Sequence, residues 1–353
     1  MAAIDVEHLT VEAHEGSGKT RITQRILSDV SVHVPAGGAV GIVGESGSGK
    51  STLIRALMDL LPAGMYRTSG RYALNGIELW SGQAGGARAV LGSEIGYIPQ
   101  DPLCALHPAL PIFDQVTEVV RLHSGRRFRY LIECLRGYFW RVRAAEAERQ
   151  AAQMLTQVGI ADAAGKVRQF PHEFSGGMRQ RVLIASALAG QPSVLLADEP
   201  TTALDASIER LILDLINEIR IERGVSVVLV SHDLNVVSWM CDYAYVLYRG
   251  HVVEQGRAED LFRWPRHPYT RALVNATPGQ MPDADDPALN LDAEATPSKE
   301  GQRPLGEAFD TGCVYRHRCH RADALCTQAQ PALVRDEGPG AVACVHPFRG
   351  STR

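Results

Sequence analysis

The sequence predicts an α/β protein with a mostly parallel sheet. Short apolar runs at 39–43, 193–197 and 225–231 are each closed by Gly, Asp or Ser and read as buried strands. Longer periodic segments at 51–61, 178–189 and 206–223 alternate with them and read as helices. In the last segment Ile208, Leu211, Ile212, Leu215, Ile216 and Ile219 fall at helical spacing and form one core-facing stripe. The 353 residues are 45% hydrophobic, enough for one large domain with an appendage, or for two domains. That apolar content excludes a disordered or fibrous chain, and 36 Lys plus Arg against 40 Asp plus Glu leave a nearly balanced net −4.

No stretch approaches the roughly 18 consecutive apolar residues of a membrane span. The N-terminus has no basic region leading into an apolar one, so no signal peptide is expected and the location follows as cytosolic. There the seven cysteines should stay reduced. Residues 276–304 shift to Pro, Asp, Ala and Gly without periodicity, as a linker does. The segment beyond, 305–353, holds four of the cysteines and is too poor in apolar residues to fold on an ordinary core.

Gly44-Glu45-Ser46-Gly47-Ser48-Gly49-Lys50-Ser51, followed by Thr52, joins the first strand to a helix. Its glycines let backbone N–H groups curl around phosphates, and the helix N-terminus adds partial positive charge. Lys50 would neutralise phosphate charge and Ser51 would ligate magnesium. Upstream, Gly16-Ser17-Gly18-Lys19-Thr20 carries only the end of this pattern and reads as a hairpin loop. The strand at 193–197 ends in Asp198 and Glu199, which point to opposite faces and so can divide labour. Asp198 would hold the Mg2+ shell while Glu199 reaches the attacking water.

Phe174-Ser175-Gly176-Gly177-Met178-Arg179-Gln180-Arg181 closely resembles the signature sequence of ABC-type ATPases. Gln100 matches the family's Q-loop glutamine, Asp205 in Ala203-Leu204-Asp205 its D-loop, and His232 its switch histidine. The resemblance implies a RecA-like core, an antiparallel β subdomain and a helical subdomain at about 101–190, together making a nucleotide-binding domain over 1–275. It also implies a head-to-tail dimer in which Ser175, Gly176, Gly177 and Met178 face the other subunit's ATP. His232 would contact the γ-phosphate, and Gln100 would sense magnesium and relay to the transport subunit. The family's adenine-stacking aromatic has no counterpart between His14 and Arg25, where His14 or Arg21 could stack instead.

Tyr248-Arg249-Gly250-His251-Val252-Val253-Glu254-Gln255-Gly256 and His267-Pro268-Tyr269-Thr270 resemble the ATP-binding subunits of bacterial dipeptide and oligopeptide importers. Such subunits pair, commonly as two different chains, on the cytoplasmic face beneath two membrane permease subunits fed by an extracytoplasmic binding protein. The same group includes importers of nickel and other small solutes. A non-transport ABC ATPase of translation or DNA metabolism would carry tandem ATPase domains or long coiled coils, and neither is present, so nucleic acid is not an expected partner. Members of the peptide-importer group can carry a cysteine-rich tail, and some bind an iron–sulfur cluster there. Cys313, Cys319, Cys326 and Cys344 supply the four thiolates of a [4Fe-4S] cluster, with Zn2+ or plain reduced thiols as alternatives. Cys104, Cys134 and Cys241 are expected to pack. Finally, 121–143 carries an apolar, aromatic face ringed by arginines, which either docks on the membrane subunit or inner leaflet or packs on the helical subdomain.

Overall fold

The computed structural model describes residues 2–15, 22–80, 86–123, 140–202, 204–277, 311–335 and 340–348. The loop 16–20, Arg21, Cys134, most of the basic segment 121–143 and residues 278–304 of the linker 276–304 therefore lie outside the described residues. The chain opens with β1 (Ala2–Glu15), β2 (Ile22–Pro35), β3 (Ala39–Val43), α1 (Lys50–Leu57), β4 (Met65–Leu74) and β5 (Ile77–Trp80). It continues through β6 (Ile95–Ile98), α2 (Pro102–Ala105), α3 (Ile112–His123), α4 (Trp140–Gln157), α5 (Ala163–Lys166), α6 (Gly176–Leu188), β7 (Val194–Asp198) and α7 (Ala206–Arg223). After β8 (Ser226–Val230) come α8 (Leu234–Met240), β9 (Tyr243–Tyr248), β10 (His251–Arg257), α9 (Ala258–Arg263), α10 (Pro268–Asn275) and β11 (Ala341–Val342).

These elements form two compact units, one from residues 1–87 and 229–353, the other from 88–228. The first unit holds a four-stranded antiparallel sheet in the order β2-β1-β4-β5. β1 and β2 pair from Ala2↔Pro35 to Glu15↔Ile22, so the strands flanking residues 16–20 are antiparallel, as a hairpin requires. The same unit contains the strand order β11-β10-β9-β3, in which β3 runs parallel to β9 while β9–β10 and β10–β11 are antiparallel. Every residue of β3 is buried, and Ile42, Val43, Leu53, Ile54 and Val246 are fully enclosed, so the apolar run that predicts the strand supplies this core.

The second unit sets parallel β6 and β7 among α2 to α7. Its core includes Ile95, Ile98, Val182, Ile184, Leu195, Leu196, Ile212 and Ile216. β8, buried along its whole length, carries the chain from the second unit into the first. Ser226 N–H donates to the Ser193 carbonyl before β7, and Ser231 N–H donates to the Ile42 carbonyl in β3.

Three expectations change. α1 ends at Leu57 rather than near 61, because Asp59 takes a left-handed conformation (φ 58°) and Pro62 follows. Leu211 leaves the predicted core stripe at 51% exposure while Ile212, Leu215, Ile216 and Ile219 stay buried and Leu213 joins them, so the packed face of α7 is rotated from the predicted stripe. Cys241 packs as expected, but Cys104 is exposed on α2, whose four residues bury none of their side chains.

Candidate functional site

In the first unit, buried β3 delivers the chain into the loop Gly44 to Gly49, and α1 begins at Lys50. Gly49 is the N-cap with φ 108°, and a Cβ there would lie 2.8 Å from Leu27 Cδ2, so the loop enters the helix in a way a larger residue resists. Lys50 is 5% exposed; its Nζ donates to the carbonyls of Gly44 (2.7 Å) and Glu45 (2.9 Å). Two residues from far along the chain fasten the loop. The Tyr269 hydroxyl accepts from Glu45 N–H (2.8 Å), and Gly250 N–H donates to the Ser48 carbonyl (2.8 Å). Neither was legible as a loop contact in the sequence, because each lies about 200 residues away and no local pattern marks it. Ser51 is half-buried in the first turn of α1. His232 lies exposed just after β8, between Ser231, whose Oγ accepts from Asp233 N–H (3.0 Å), and Asp233, which caps α8 by accepting from Asn235 N–H (2.8 Å).

In the second unit, β7 is buried throughout and ends in Asp198, 4% exposed. Glu199 follows in a left-handed conformation (φ 47°). Its Oε2 accepts from Gln100 Nε2 (3.1 Å) and Thr202 Oγ1 (3.0 Å). The structure thus brings Gln100 and Glu199 together and adds Thr202, which sequence reasoning missed; its only signal is a hydroxyl three residues beyond the acid. Ser175 is the N-cap of α6, its Oγ accepting from Met178 N–H (3.4 Å), so part of the helix terminus offered by Gly176 and Gly177 is satisfied by its own cap. Asp205 precedes α7, and its carbonyl accepts from Glu209 N–H (2.8 Å).

A glycine-rich loop opening a helix around a buried lysine can hold phosphates, and a buried Asp beside a hydrogen-bonded Glu can hold a divalent cation and orient water. Known proteins resemble this chain. A family model described as ABC transporter matches residues 27–202, and a second, described as oligopeptide/dipeptide transporter, C-terminal region, matches 253–326. The chain is 36% identical to the oligopeptide transport ATP-binding protein OppD of Escherichia coli (strain K12), covering 91% of this chain and 87% of that protein. It is 34% identical to the dipeptide transport ATP-binding protein DppD of Haemophilus influenzae, covering 94% and 92%. This chain belongs to the ABC transporter ATPases. Among solved structures, a dimeric ATP-binding cassette in a post-hydrolysis state with ADP and Pi is 27% identical, with a TM-score of 0.56 over 72% of this chain and 98% of that one.

Two further features of this ABC ATPase lie in its first unit. The His14 ring tilts against Tyr66, centroids 5.2 Å apart. Tyr66 reaches His14 from β4, which pairs Glu12 with Tyr66. The C-terminal cysteines form the other. Described residues 311–335 and 340–348 pack on β10 and α10, where β11 adds a strand, Ala343 N–H donates to Val253 and Phe348 N–H to Arg266. Cys313, Cys319, Cys326 and Cys344, spread over the tail, all line one small pocket with His267 and His346. Cys313 N–H donates to the Cys326 carbonyl (2.8 Å), and His346 N–H to Cys344 Sγ (3.4 Å). Burial, and then the neighbouring thiols, push Cys344 up to about 11. Asp323, Cys326 and His346 also place ligand atoms within 4.8 Å of one another. The four cysteines thus share the lining of one partly buried pocket.

Proposed function

We propose that this chain is the ATP-binding and hydrolysing motor of a membrane importer for di- and oligopeptides. The observation that carries this reading is the likeness to OppD and DppD along nearly the whole chain, including the peptide-transporter C-terminal region. The phosphate loop, Gly44 to Thr52, binds the nucleotide phosphates, with Lys50 neutralising their charge. Ser51, Gln100 and Asp198 would hold magnesium, which when bound supplies further charge neutralisation. Glu199 is the general base, oriented by Gln100 and Thr202. His232 contacts the γ-phosphate. Ser175, Gly176, Gly177, Met178 and Asp205 serve the nucleotide of a second ATPase subunit, read here as a different chain. The pair works on the cytoplasmic face of the membrane beneath two permease subunits and an extracytoplasmic binding protein. No helix among the described residues is long and apolar enough to cross a membrane, as a peripheral subunit requires. The nucleotide-binding domain is assigned to 1–275, a linker to 276–304 and the cysteine-rich extension to 305–353.

In the assembled transporter, Glu199→Gln should cut ATP turnover by about 100-fold or more while ATP still binds, and Lys50→Ala should weaken binding itself. Near-normal turnover by Glu199→Gln would remove Glu199 from the base role.

The same reading gives Cys313, Cys319, Cys326 and Cys344 a [4Fe-4S] cluster rather than Zn2+. Protein purified without oxygen should be brown, with close to four irons per chain, a ratio set by the cluster type. Colourless, iron-free, fully folded protein, or protein carrying zinc alone, would exclude the cluster.

A further inference from the structure

Arg318 sits between Cys313 and Cys319 in the cysteine-rich tail, yet its guanidinium reaches the phosphate loop. Nη1 donates to both carboxylate oxygens of Glu45, at 3.0 and 2.8 Å. The reach is built rather than incidental. Arg318 N–H donates to the Tyr315 carbonyl (3.0 Å), closing a turn, and the guanidinium lies 5.8 Å from the Tyr315 ring centroid. Tyr315 is 5% exposed and packs against Tyr248 and Tyr269 at 5.2 and 5.4 Å. Tyr269 in turn accepts from the backbone N–H of the same Glu45. The loop residue is therefore held at its backbone by α10 and at its charge by the tail.

Glu45 is an acid inside a loop whose task is to gather the several negative charges of a triphosphate. Left bare, its carboxylate opposes that ligand, while an arginine whose Nη1 bridges both carboxylate oxygens offsets the charge and turns the side chain toward the tail. We propose that Arg318 is a positioning residue for the nucleotide loop: it masks Glu45, so that the cysteine-rich tail sets the affinity of the loop for ATP. This rests on the reading of Gly44 to Thr52 as the phosphate site. The pair is half-exposed, 48% and 39%, and adds little to fold stability, so its effect belongs in binding. Because coupling is reciprocal, nucleotide in the loop should also steady the turn that bears Arg318.

The test uses the full chain in the assembled transporter and four variants. Arg318→Gln should raise the ATP KM about 5–10-fold with kcat within about two-fold and the melting temperature unchanged, an effect on ground-state binding alone. Arg318→Lys should recover part of the loss, since it restores the charge on a shorter side chain. The deciding variant is Glu45→Gln combined with Arg318→Gln, which removes the bare acid and should return KM to within about two-fold of the parent. A nonhydrolysable ATP analogue should slow amide exchange over 313–319 in the parent and not in Arg318→Gln. An unchanged KM in Arg318→Gln, or a double variant as weak as the single one, overturns the proposal. Lys50→Ala separates the two readings: if it binds ATP normally the phosphate site itself fails, whereas if it loses ATP while Arg318→Gln does not, only the masking role fails.

Discussion

Asp198 and Glu199 show how far a single residue can be read in advance. Two acids at the end of a buried apolar run were legible in advance, but β7 ends at Asp198, so the strand alternation expected to part the two side chains does not reach Glu199. The left-handed turn at Glu199 was not legible, although it aims the carboxylate at Gln100 and Thr202. Such a position costs a non-glycine residue of order 1–3 kcal/mol and persists only where the surroundings over-determine it, here buried β7 before it and two hydrogen bonds on the side chain. The Gln100 contact spans 99 residues, so only the fold could reveal it. Gly250 is a similar case on the other unit. With Arg249 it makes the two-residue β9–β10 turn, both at positive φ, and it links the Ser28 N–H to the Ser48 carbonyl. A Cβ on Gly250 would stand 2.2 Å from the Ile26 carbonyl oxygen, backbone that cannot swing aside. Gly250→Ala should therefore destabilise the chain by about 1–3 kcal/mol in denaturant melts and weaken ATP binding, because the phosphate loop loses its seat. Unchanged stability and affinity would mean that the turn relaxes freely.

Elements were legible where one period ran undisturbed. β3 and α7 match their expected bounds, and β7, β8 and the C-terminal end of α6 fall within one residue, since buried strands are short apolar runs and α7 carries its acids and arginines on the open side. The antiparallel sheet was implied by the family resemblance rather than read from alternation. Its pairing explains why: β1 and β2 shift register repeatedly, and His8 and Asp29 stand at positive φ inside them, so alternation is reset along the strand. The docking of the tail was not legible for a different reason. It lacks apolar residues for a core of its own, but it borrows one, adding β11 to the edge of β10 and burying Tyr315 among aromatics of β9 and α10. Sequence composition reports what a segment owns, not what it docks on.

At the scale of the molecule, the first unit is closed by residues from both ends of the chain, and a buried polar network sits where its late elements meet. Glu254 on β10, 2% exposed, accepts from Arg266 N–H (2.8 Å) and His267 N–H (2.9 Å), fixing the entry to α10. His267, 1% exposed, accepts from Tyr269 N–H through Nδ1 (3.1 Å) and so caps that helix. Burial pushes Glu254 up from its ordinary 4.5 to about 7, against the pull of its hydrogen bonds, and pushes His267 down from 6.5 to about 3. The two linkages have opposite signs. Folded Glu254 binds a proton more readily than the unfolded chain, so its contribution to stability is present below pH 4.5 and is lost as pH rises towards 7. Folded His267 stays neutral while the unfolded chain protonates, so its contribution is present above pH 6.5 and is lost as pH falls towards 3. Between 4.5 and 6.5 they oppose, each with a slope of at most about 1.4 kcal/mol per pH unit. Glu254→Gln keeps an acceptor for the α10 entry and removes one of the two titrations. Urea unfolding at several pH values in that window should then show the variant gaining stability with rising pH more steeply than the parent chain. Parallel slopes would place the Glu254 carboxyl outside the proton balance of folding.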